Sequence, residues 1–426
     1  MNRLISSLLT LFLAVTLVTG KGSIDAFINQ LPVTDVEVME RESFYGNIYE
    51  IMLEQPLDHN RPDGPTFSQR IYISHVDTSK PVVMVTAGYG AGYYHTSEIA
   101  NHLKCNQLLV EHRYFGKSVP DSLDWNYLNT WQAATDHHRI IKKFREFYTG
   151  KWITTGISKG GQTVMFHSYY YPKDVDARVP YVAPLNSDVE DQRVYEFLDR
   201  VGSWHCRHRI HRFQKMALKR QEELIPVFKK FSEKKGYTYE EAGGVEKAFE
   251  YCVLEYAFAF WQWGYADCSD IPRRQTPPKE LITHMNKVAG FDYFADEFVL
   301  EYQPFFYQAY TEMGYYGYDL EEFERHLQHV TEPGFTFALP HGDSTVFNPF
   351  LLDSLQHYIA REAENFIFIY GEYDTWSATA VELAGNTNSR VFYKTRGSHR
   401  TRIRNMEKPQ QEEIYALLES FLEKKK

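Results

Sequence analysis

The pentapeptide Gly156-Ile157-Ser158-Lys159-Gly160 has the clearest chemical potential in this sequence. A strand-like run precedes it, and a helix-like run from Gly161 to Tyr170 follows it. In such a strand–turn–helix context, the pattern places the serine at the tip of a tight turn, exposed and at a helix N-terminus. The sequence therefore predicts that Ser158 is a nucleophile. The alternative is a glycine-rich turn without chemistry.

A serine hydroxyl needs a base that takes its proton, and an acid that orients this base. Two later strand-like runs end near suitable residues, because Asp374 follows 366–370 and His399 follows 391–393. In an α/β-hydrolase triad, the serine is followed along the chain by an acid and then by a histidine, and both lie at strand ends. We therefore predict that Asp374 and His399 are the partners of Ser158.

Other residues compete for these two roles. Glu372 lies two positions before the predicted acid and is an alternative to it. His341 and Asp343 come later than the long central segment, but no strand-like run would place them beside the serine. His137 and His138 fall within a predicted helix, which favours surface or packing roles for them.

Acyl transfer also requires backbone N–H groups that stabilise an oxyanion. The turn after the serine supplies the N–H of Lys159. The second donor is expected in the loop after the strand-like run 82–86, where glycines let the backbone approach the substrate closely. We predict the N–H of Tyr89 for this role, with that of Gly90 as the alternative.

The elements that must position these residues follow from the hydrophobic pattern. Short apolar runs bounded by turn residues are typical of buried parallel strands. Such runs occur at 71–76, 82–86, 108–110, 152–155, 179–183, 367–369 and 391–393. Helix-like patterns lie between them, notably at 131–148. This alternation predicts an α/β fold, here an α/β-hydrolase fold with a mostly parallel sheet flanked by helices.

The strand pattern stops between about 185 and 335. The segments 201–235 and 246–263 are predicted to be long helices, and an aromatic, proline-containing stretch follows. Because strand-like runs resume afterwards, we interpret this region as a mainly helical cap inserted before the last strands. The predicted organisation is a signal peptide at 1–20, a core at 21–184 and 336–426, and a cap at 185–335.

Composition narrows the possible functions. The chain has 426 residues, of which 43% are hydrophobic and 24% are charged, as in an ordinary globular protein. The formal net charge of −10 argues against nucleic acid as a partner, since nucleic-acid binders carry clustered Lys and Arg. Aromatic residues make up 16% of the chain, which indicates either aromatic-lined pockets or a tyrosine-rich core. The sequence indicates no metal site and no cofactor.

The N-terminus has the pattern of a secretory signal peptide. Arg3 precedes an almost unbroken apolar stretch at 4–18, and the small residues Thr19 and Gly20 follow. We predict an exported protein, secreted or periplasmic, with no stable membrane association after cleavage. A retained signal anchor is the alternative.

An even number of cysteines in an exported chain permits disulfides. The four cysteines are Cys105, Cys206, Cys252 and Cys268. Three pairings are possible, and the sequence does not choose among them. The pair 252 and 268 is favoured weakly, because these two residues lie closest in the chain.

Several segments resemble known peptidases. The segment 111–118 (EHRYFGKS) resembles a signature of the lysosomal Pro-Xaa carboxypeptidase and dipeptidyl peptidase family. The segment 307–314 resembles a second signature of that family, with Tyr310 where Cys is usual. The segments 201–207, 371–378 and 397–403 resemble the secreted bacterial tripeptidyl aminopeptidases more closely. The resemblance extends from about residue 55 over nearly the whole mature chain.

This resemblance implies a serine exopeptidase that removes short peptides, expected to be tripeptides, from free N-termini through an acyl-enzyme on Ser158. A Pro-Xaa carboxypeptidase or a dipeptidyl peptidase on the same scaffold is the main alternative. An esterase or lipase is permitted by the serine turn but leaves the peptidase-like segments unexplained. An inactive binding protein is the fourth possibility, against which the intact triad counts. The oligomeric state is left open.

An enzyme of this kind must hold a substrate ammonium group, and a carboxylate in the cap can do so. Glu312 is the candidate, with Glu190 and Asp191 as alternatives, although each is as compatible with a structural or solvated acid. Arg113 is predicted to join loops through an acid such as Asp136. Aromatic cap residues are expected either to line substrate subsites or to pack cap helices together. They are Trp261, Trp263, Phe305, Phe306, Tyr315 and Tyr316.

Overall fold

The computed structural model describes residues 23–40, 44–341 and 345–423. The predicted signal peptide and Asp343 lie outside these ranges. Within them, nine strands form a single sheet. The strands are β1 (Val33–Glu40), β2 (Asn47–Pro56), β3 (Thr66–Ser74), β4 (Val82–Thr86), β5 (Asn106–Val110), β6 (Trp152–Ile157), β7 (Ala177–Tyr181), β8 (Ile367–Gly371) and β9 (Arg390–Lys394).

The sheet is mostly parallel and has the order β1-β2-β3-β5-β4-β6-β7-β8-β9. Strands β4 to β9 run parallel to their neighbours, whereas β1, β2 and β3 form an antiparallel edge that joins β5. All five residues of β4, β5, β7 and β8 are buried, as expected for strands covered on both faces. The carboxyl ends of the parallel strands therefore meet along one edge of the sheet.

Helices cover both faces of this sheet. Within the described residues they are α1 (Ile24–Ile28), α2 (Glu98–Leu103), α3 (Thr130–Phe144), α4 (Lys159–Tyr170), α5 (Gln192–Arg200), α6 (Trp204–Lys219), α7 (Gln221–Lys235), α8 (Val245–Trp263), α9 (Pro278–Ala289), α10 (Asp296–Gln308), α11 (Pro349–Arg361) and α12 (Lys408–Leu422). Apolar residues of α3 pack on one face and those of α12 on the other. This arrangement is an α/β-hydrolase fold, which confirms the predicted fold class.

Helices α5 to α10 lie between β7 and β8 and have an aromatic-rich apolar core of their own. We call α5 to α10 and the turns that follow them, up to Ala338, the cap. The helix predicted over 201–235 is interrupted at Arg220, where α6 ends and α7 begins. Helix α11 packs on α4 and so belongs to the core rather than to the cap. Within the described residues, no helix is both long and apolar enough to cross a membrane.

One disulfide is formed in the described part of the chain, and it differs from the pairing favoured by proximity in sequence. Cys206 of α6 is bonded to Cys268, with their Cα atoms 5.4 Å apart. Cys105 and Cys252 are free and buried. The favoured pair of Cys252 and Cys268 is wrong, because helix α8 continues to Trp263 and carries the chain about 17 Å away from Cys252 before it turns. A disulfide requires Cα atoms within about 7 Å.

Candidate active site

Ser158 occupies the sharp turn between β6 and α4. Its backbone angles, φ +57° and ψ −123°, are in a sparsely populated region that costs energy for a residue with a side chain. The turn is tight because a Cβ on Gly160 would meet the carbonyl O of Thr86, and one on Gly156 would meet the carbonyl O of Gly160. The glycines on both sides of Ser158 are therefore required by close approach of the backbone, as the sequence predicts.

Asp374 and His399 follow β8 and β9 at the same edge of the sheet. The His399 Nδ1 lies 2.7 Å from Asp374 Oδ2, and both side chains are buried. This contact orients the imidazole so that Nδ1–H donates to the carboxylate and Nε2 remains available as a base. Burial raises the pKa of Asp374, and the neighbouring His399 opposes this rise. His399 and Ser158 line the same cavity.

The competing residues lie in other surroundings. The Glu372 carboxylate accepts the backbone N–H of Arg396 at 2.7 Å. His341 forms an ion pair with Glu241 at 3.1 Å on the surface of the cap. His137 is buried, with its Nδ1 2.7 Å from a backbone carbonyl O of its own helix. His138 contacts a carboxylate near the end of α4.

The loop after β4 approaches the serine turn closely. Gly88 has φ +78°, and a Cβ there would meet the backbone N of Gly160. The Lys159 Nζ donates to the carbonyl O of Gly88 at 2.6 Å, and the Glu111 carboxylate accepts the N–H of Ala91 at 2.7 Å. These two side chains hold the loop at both ends.

The predicted oxyanion donors differ in their position. Tyr89 lines the cavity together with Ser158, whereas Gly90 does not. Among the described residues, no acceptor takes the backbone N–H of Tyr89 or that of Lys159. The backbone N–H groups of Tyr89 and Lys159 are thus both without an acceptor among the described residues, which an oxyanion donor requires.

The Lys159 side chain is almost completely buried and, among the described residues, has no carboxylate partner. Its Nζ lies 5.6 Å from the ring centre of Tyr89 and 5.2 Å from that of Phe115. Burial lowers the pKa of Lys159 well below its ordinary value. The contact of this amine with the carbonyl O of Gly88 therefore lies in a buried environment.

The cavity above Ser158 has a volume of about 1140 Å³ and lies between the sheet edge and the cap. Five of the six predicted aromatic residues line it: Trp263, Phe305, Phe306, Tyr315 and Tyr316. Trp261 does not line it; its ring packs against Tyr373. Among the described residues, no group of His, Cys, Asp or Glu is arranged to hold a metal ion.

A buried carboxylate that the sequence reasoning missed also lines this cavity. Glu255 of α8 is 3% exposed, and its Oε2 accepts hydrogen bonds from the Tyr316 and Tyr318 hydroxyls, each at 2.8 Å. Its Oε1 accepts no hydrogen bond from the described residues. Burial raises the pKa of Glu255 to about 8, against the lowering effect of the two phenols. The signal in the sequence was a single acid within the apolar, aromatic stretch 251–263 of this helix.

The three acids predicted to bind an amine lie elsewhere and do not line the cavity. Glu312 accepts the backbone N–H of Thr130 at 2.6 Å at the start of α3. Glu190 accepts the hydroxyl of Tyr195. Asp191 caps α5 and forms an ion pair with the side chain at 193. Each carboxylate already has a partner, and none of the three lines the cavity of Ser158, so the structure does not bring them to the predicted amine site.

Arg113 has the structural role that the sequence predicts. Its guanidinium donates to Asp136 at 2.7 and 2.8 Å, and both side chains are fully buried. It also donates to the carbonyl O atoms of Leu57 and Tyr127. Arg113 thereby connects three segments behind the loop that approaches the serine.

Comparison with known proteins identifies the family of this chain. The chain matches the family model described as PS-10 peptidase S37 over residues 22–414. It is 31% identical over 384 residues to the prolyl tri/tetrapeptidyl aminopeptidase of Streptomyces mobaraensis. This alignment covers 88% of this chain and 80% of that protein. A segment of 133 residues is 29% identical to the lysosomal Pro-X carboxypeptidase of Homo sapiens, 27% of each chain. Among solved structures, a proline iminopeptidase from Mycobacterium smegmatis aligns with TM-score 0.43 and 12% identity, over 87% of this chain and 99% of that one.

Proposed function

Because the chain belongs to the PS-10 peptidase S37 family and is a serine-type peptidase, we propose that it is an exported aminopeptidase that releases tripeptides from free N-termini. The observation that carries this proposal is Glu255, a buried carboxylate without a cationic partner in the cavity of Ser158. A substrate ammonium group would supply the missing partner.

The reaction would proceed through an acyl-enzyme. Ser158 Oγ attacks the scissile carbonyl while His399 Nε2 takes its proton, and Asp374 stabilises the imidazolium. The backbone N–H groups of Lys159 and Tyr89 stabilise the oxyanion. His399 then protonates the leaving nitrogen, and water hydrolyses the acyl-enzyme by the same steps.

Glu255 is suited to select a free N-terminus. The phenols of Tyr316 and Tyr318 satisfy one carboxylate oxygen and leave the other without a donor. With a pKa of about 8 the empty site is mostly neutral at pH 7. An ammonium group brings the charge that favours the ionised form, and it gains a charge-assisted hydrogen bond in a dry site. An acylated N-terminus has neither the charge nor the donors.

The length of helix α8 between Glu255 and the region of His399 supports the release of three residues. The helix carries both Glu255 and Gln262, and the carbonyl O of Gln262 accepts the backbone N–H of His399 at 2.7 Å. The seven helical steps between these residues span about 10 Å. Three residues of extended peptide also span about 10 Å. An amine held at Glu255 would therefore place the third peptide bond close to His399.

Two observations support export. The apolar stretch at 4–18 with Arg3 before it has the composition of a signal peptide. The disulfide between Cys206 and Cys268 is typical of an oxidising compartment.

The test is product analysis on a ladder of peptides with free and N-acetylated ends, followed by mass spectrometry. N-terminal tripeptides are expected from free ends only. Glu255→Gln should raise KM for free-amine peptides by about 100-fold, because the ammonium would then be buried without a counter-charge. Glu312→Gln is the matched control, since it removes another buried carboxylate outside the cavity.

Other products would contradict the proposal. Release of single residues from the C-terminus would identify a carboxypeptidase, and N-terminal dipeptides would identify a dipeptidyl peptidase. Equal cleavage of free and acetylated peptides would exclude Glu255 as the amine site.

A further inference from the structure

The wall of the cavity beside His399 carries positive charge that acyl transfer itself does not use. Four basic residues line the cavity: Lys287, Arg400, Arg402 and Arg404. The acidic residues of the same lining are Glu255 and Asp292. The chain as a whole has a net charge of −10, so the basic wall runs against the overall composition.

Three of these basic groups lack a carboxylate partner among the described residues. Arg400 is exposed, and its guanidinium lies 5.6 Å from the ring centre of Tyr265. Lys287 is exposed in the last turn of α9 and forms no ion pair within the described chain. Arg402 donates to the carbonyl O atoms of Thr401 and His399, at 2.6 and 3.1 Å. Arg404 differs, because it lies 3.6 Å from the Glu98 carboxylate.

The acids of the lining do not neutralise this wall. The Glu255 carboxylate accepts the hydroxyls of two cap tyrosines, and neither Glu255 nor Asp292 forms an ion pair with a basic residue in the described part of the chain. Arg400 and Lys287 therefore line the cavity without an ion-pair partner among the described residues. Arg402 differs, because burial lowers its pKa while the nearby Glu98 and Asp374 carboxylates oppose this change.

The position of the wall assigns it to one side of the scissile bond. His399 must reach the leaving nitrogen in order to protonate it, so groups beside His399 face the leaving part of the substrate. Arg400 follows His399 directly, and Arg402 is hydrogen-bonded to its carbonyl O. The basic wall thus lies on the leaving side, and the acyl side extends toward Glu255 in the cap.

We propose that Arg400, with Lys287 and Arg402, forms a subsite for a carboxylate on the leaving residue. The carboxylate carbon of a C-terminal residue lies about 2.5 Å from the leaving nitrogen, so it would enter this subsite whenever the leaving group is a single amino acid. An Asp or Glu side chain on the leaving residue would present the same chemistry. The inference rests on the proposed aminopeptidase function, and it makes short oligopeptides with both ends free the favoured substrates.

The experiment compares substrates that share one tripeptide acyl part. The leaving groups are alanine, alanine amide, aspartic acid amide and aminomethylcoumarin. All four form the same acyl-enzyme, so differences in kcat/KM report on acylation. For the wild-type enzyme, kcat/KM should be about tenfold higher with free alanine as the leaving group than with alanine amide, as expected for a charge-assisted contact in a cavity. The aspartic acid amide separates a side-chain carboxylate from the terminal one.

Arg400→Gln should reduce the ratio of free acid to amide to about threefold or less, and Arg400→Gln with Lys287→Gln should abolish it. The ratio is independent of the fraction of active enzyme. Arg396→Gln is the control, an exposed arginine nearby that does not line the cavity, and it should leave the ratio unchanged. A high salt concentration should reduce the wild-type ratio.

A wild-type ratio near one would overturn the inference, as would a ratio that survives the double substitution. Cleavage of the coumarin substrate separates this failure from failure of the proposed function. If the coumarin substrate is cut but no carboxylate preference is found, only the subsite is wrong. If no tripeptidyl substrate is cut, the aminopeptidase proposal is wrong as well.

Discussion

Lys159→Met removes the amine that holds the carbonyl O of Gly88, and it replaces the side chain with one of similar length. The Lys159 Nζ donates to that oxygen at 2.6 Å. The described peptide bonds are all trans, so the N–H of Tyr89 points opposite to the Gly88 carbonyl in the same peptide plane. By holding the carbonyl on one side, Lys159 directs this N–H toward the cavity. Lys159 would thus be a positioning residue for the second oxyanion donor.

The size of the effect follows from what the substitution leaves behind. The Gly88 carbonyl loses its partner, which costs about 1–3 kcal/mol when the group is buried. The peptide can then rotate to find another donor, and the N–H of Tyr89 turns with it. Loss of one oxyanion donor typically lowers kcat by about 10² to 10³-fold. KM should change by less than about threefold, because the donor acts mainly on the transition state.

The assay is steady-state cleavage of a tripeptidyl coumarin substrate, together with the rate at which a fluorophosphonate labels Ser158. Both reactions develop negative charge on an oxygen, so both rates should fall. Lys117→Met is the matched control, since Lys117 is half exposed and pairs with Glu50 away from the cavity. Lys159→Gln keeps a donor on a shorter side chain, and its kcat should lie between those of wild type and Lys159→Met.

Lys159 is not a positioning residue if folded Lys159→Met keeps kcat within about threefold of wild type. The same conclusion follows if kcat is the same in the Met and Gln variants, or if KM alone changes. A fall in thermal stability without a change in kcat would assign Lys159 a structural role only.

Three further predictions concern the nucleophile, the amine site and the disulfide. Ser158→Ala should lower kcat by about 10⁶-fold without unfolding the protein, because it removes the attacking oxygen and no packing group. For free-amine peptides, 1/KM should be greatest near pH 8. Below that pH Glu255, with a pKa of about 8, is protonated, and above it the substrate amine, whose pKa is also about 8, loses its charge. Replacing Cys206 and Cys268 by Ser should lower the free energy of unfolding by about 2–4 kcal/mol, because the bond closes a long loop in the cap.

Each of these has a direct check. Activity of Ser158→Ala above about 1% of wild type would reassign the nucleophile. A value of 1/KM that does not fall between pH 8 and 6, or that falls equally in Glu255→Gln, would contradict the amine site. An unchanged urea midpoint for the double serine variant would show that the disulfide does not stabilise the cap.

The sequence could predict that Ser158, Asp374 and His399 lie at one edge of the sheet, because parallel strands share an edge. Each residue follows a short apolar run, and the carboxyl ends of such strands meet wherever the runs lie in the chain. The edge strand β1 escaped prediction for the opposite reason. The side chains of β1 are mostly exposed, so it has no apolar run to mark it.

Glu255 could not be identified from strand ends, because its position in the cavity depends on which face of α8 points into that cavity. That orientation is set by packing among cap helices, and no local pattern records it. Glu312 is predicted to bind the amine because it is a carboxylate of the cap, but its partner is the N–H of Thr130, 182 positions away in the chain. The predicted pair of Cys252 and Cys268 was also wrong, since proximity in sequence ignores the length of the helix between these two residues.

The high aromatic content of the chain has a physical reason in the cap. A carboxylate that selects a substrate ammonium must be dry and hydrogen-bonded, yet free of any protein cation that would neutralise it. Tyrosine meets these conditions, because its ring excludes water and packs in the core while its hydroxyl donates a hydrogen bond without charge. Tyr316 and Tyr318 do this for Glu255, and both are themselves buried in the aromatic cluster of the cap. An Arg or Lys at either position would occupy the place of the substrate. In the proposed function, the cap would keep its acid ready by surrounding it with neutral donors, and a peptide with a free N-terminus would supply the missing positive charge.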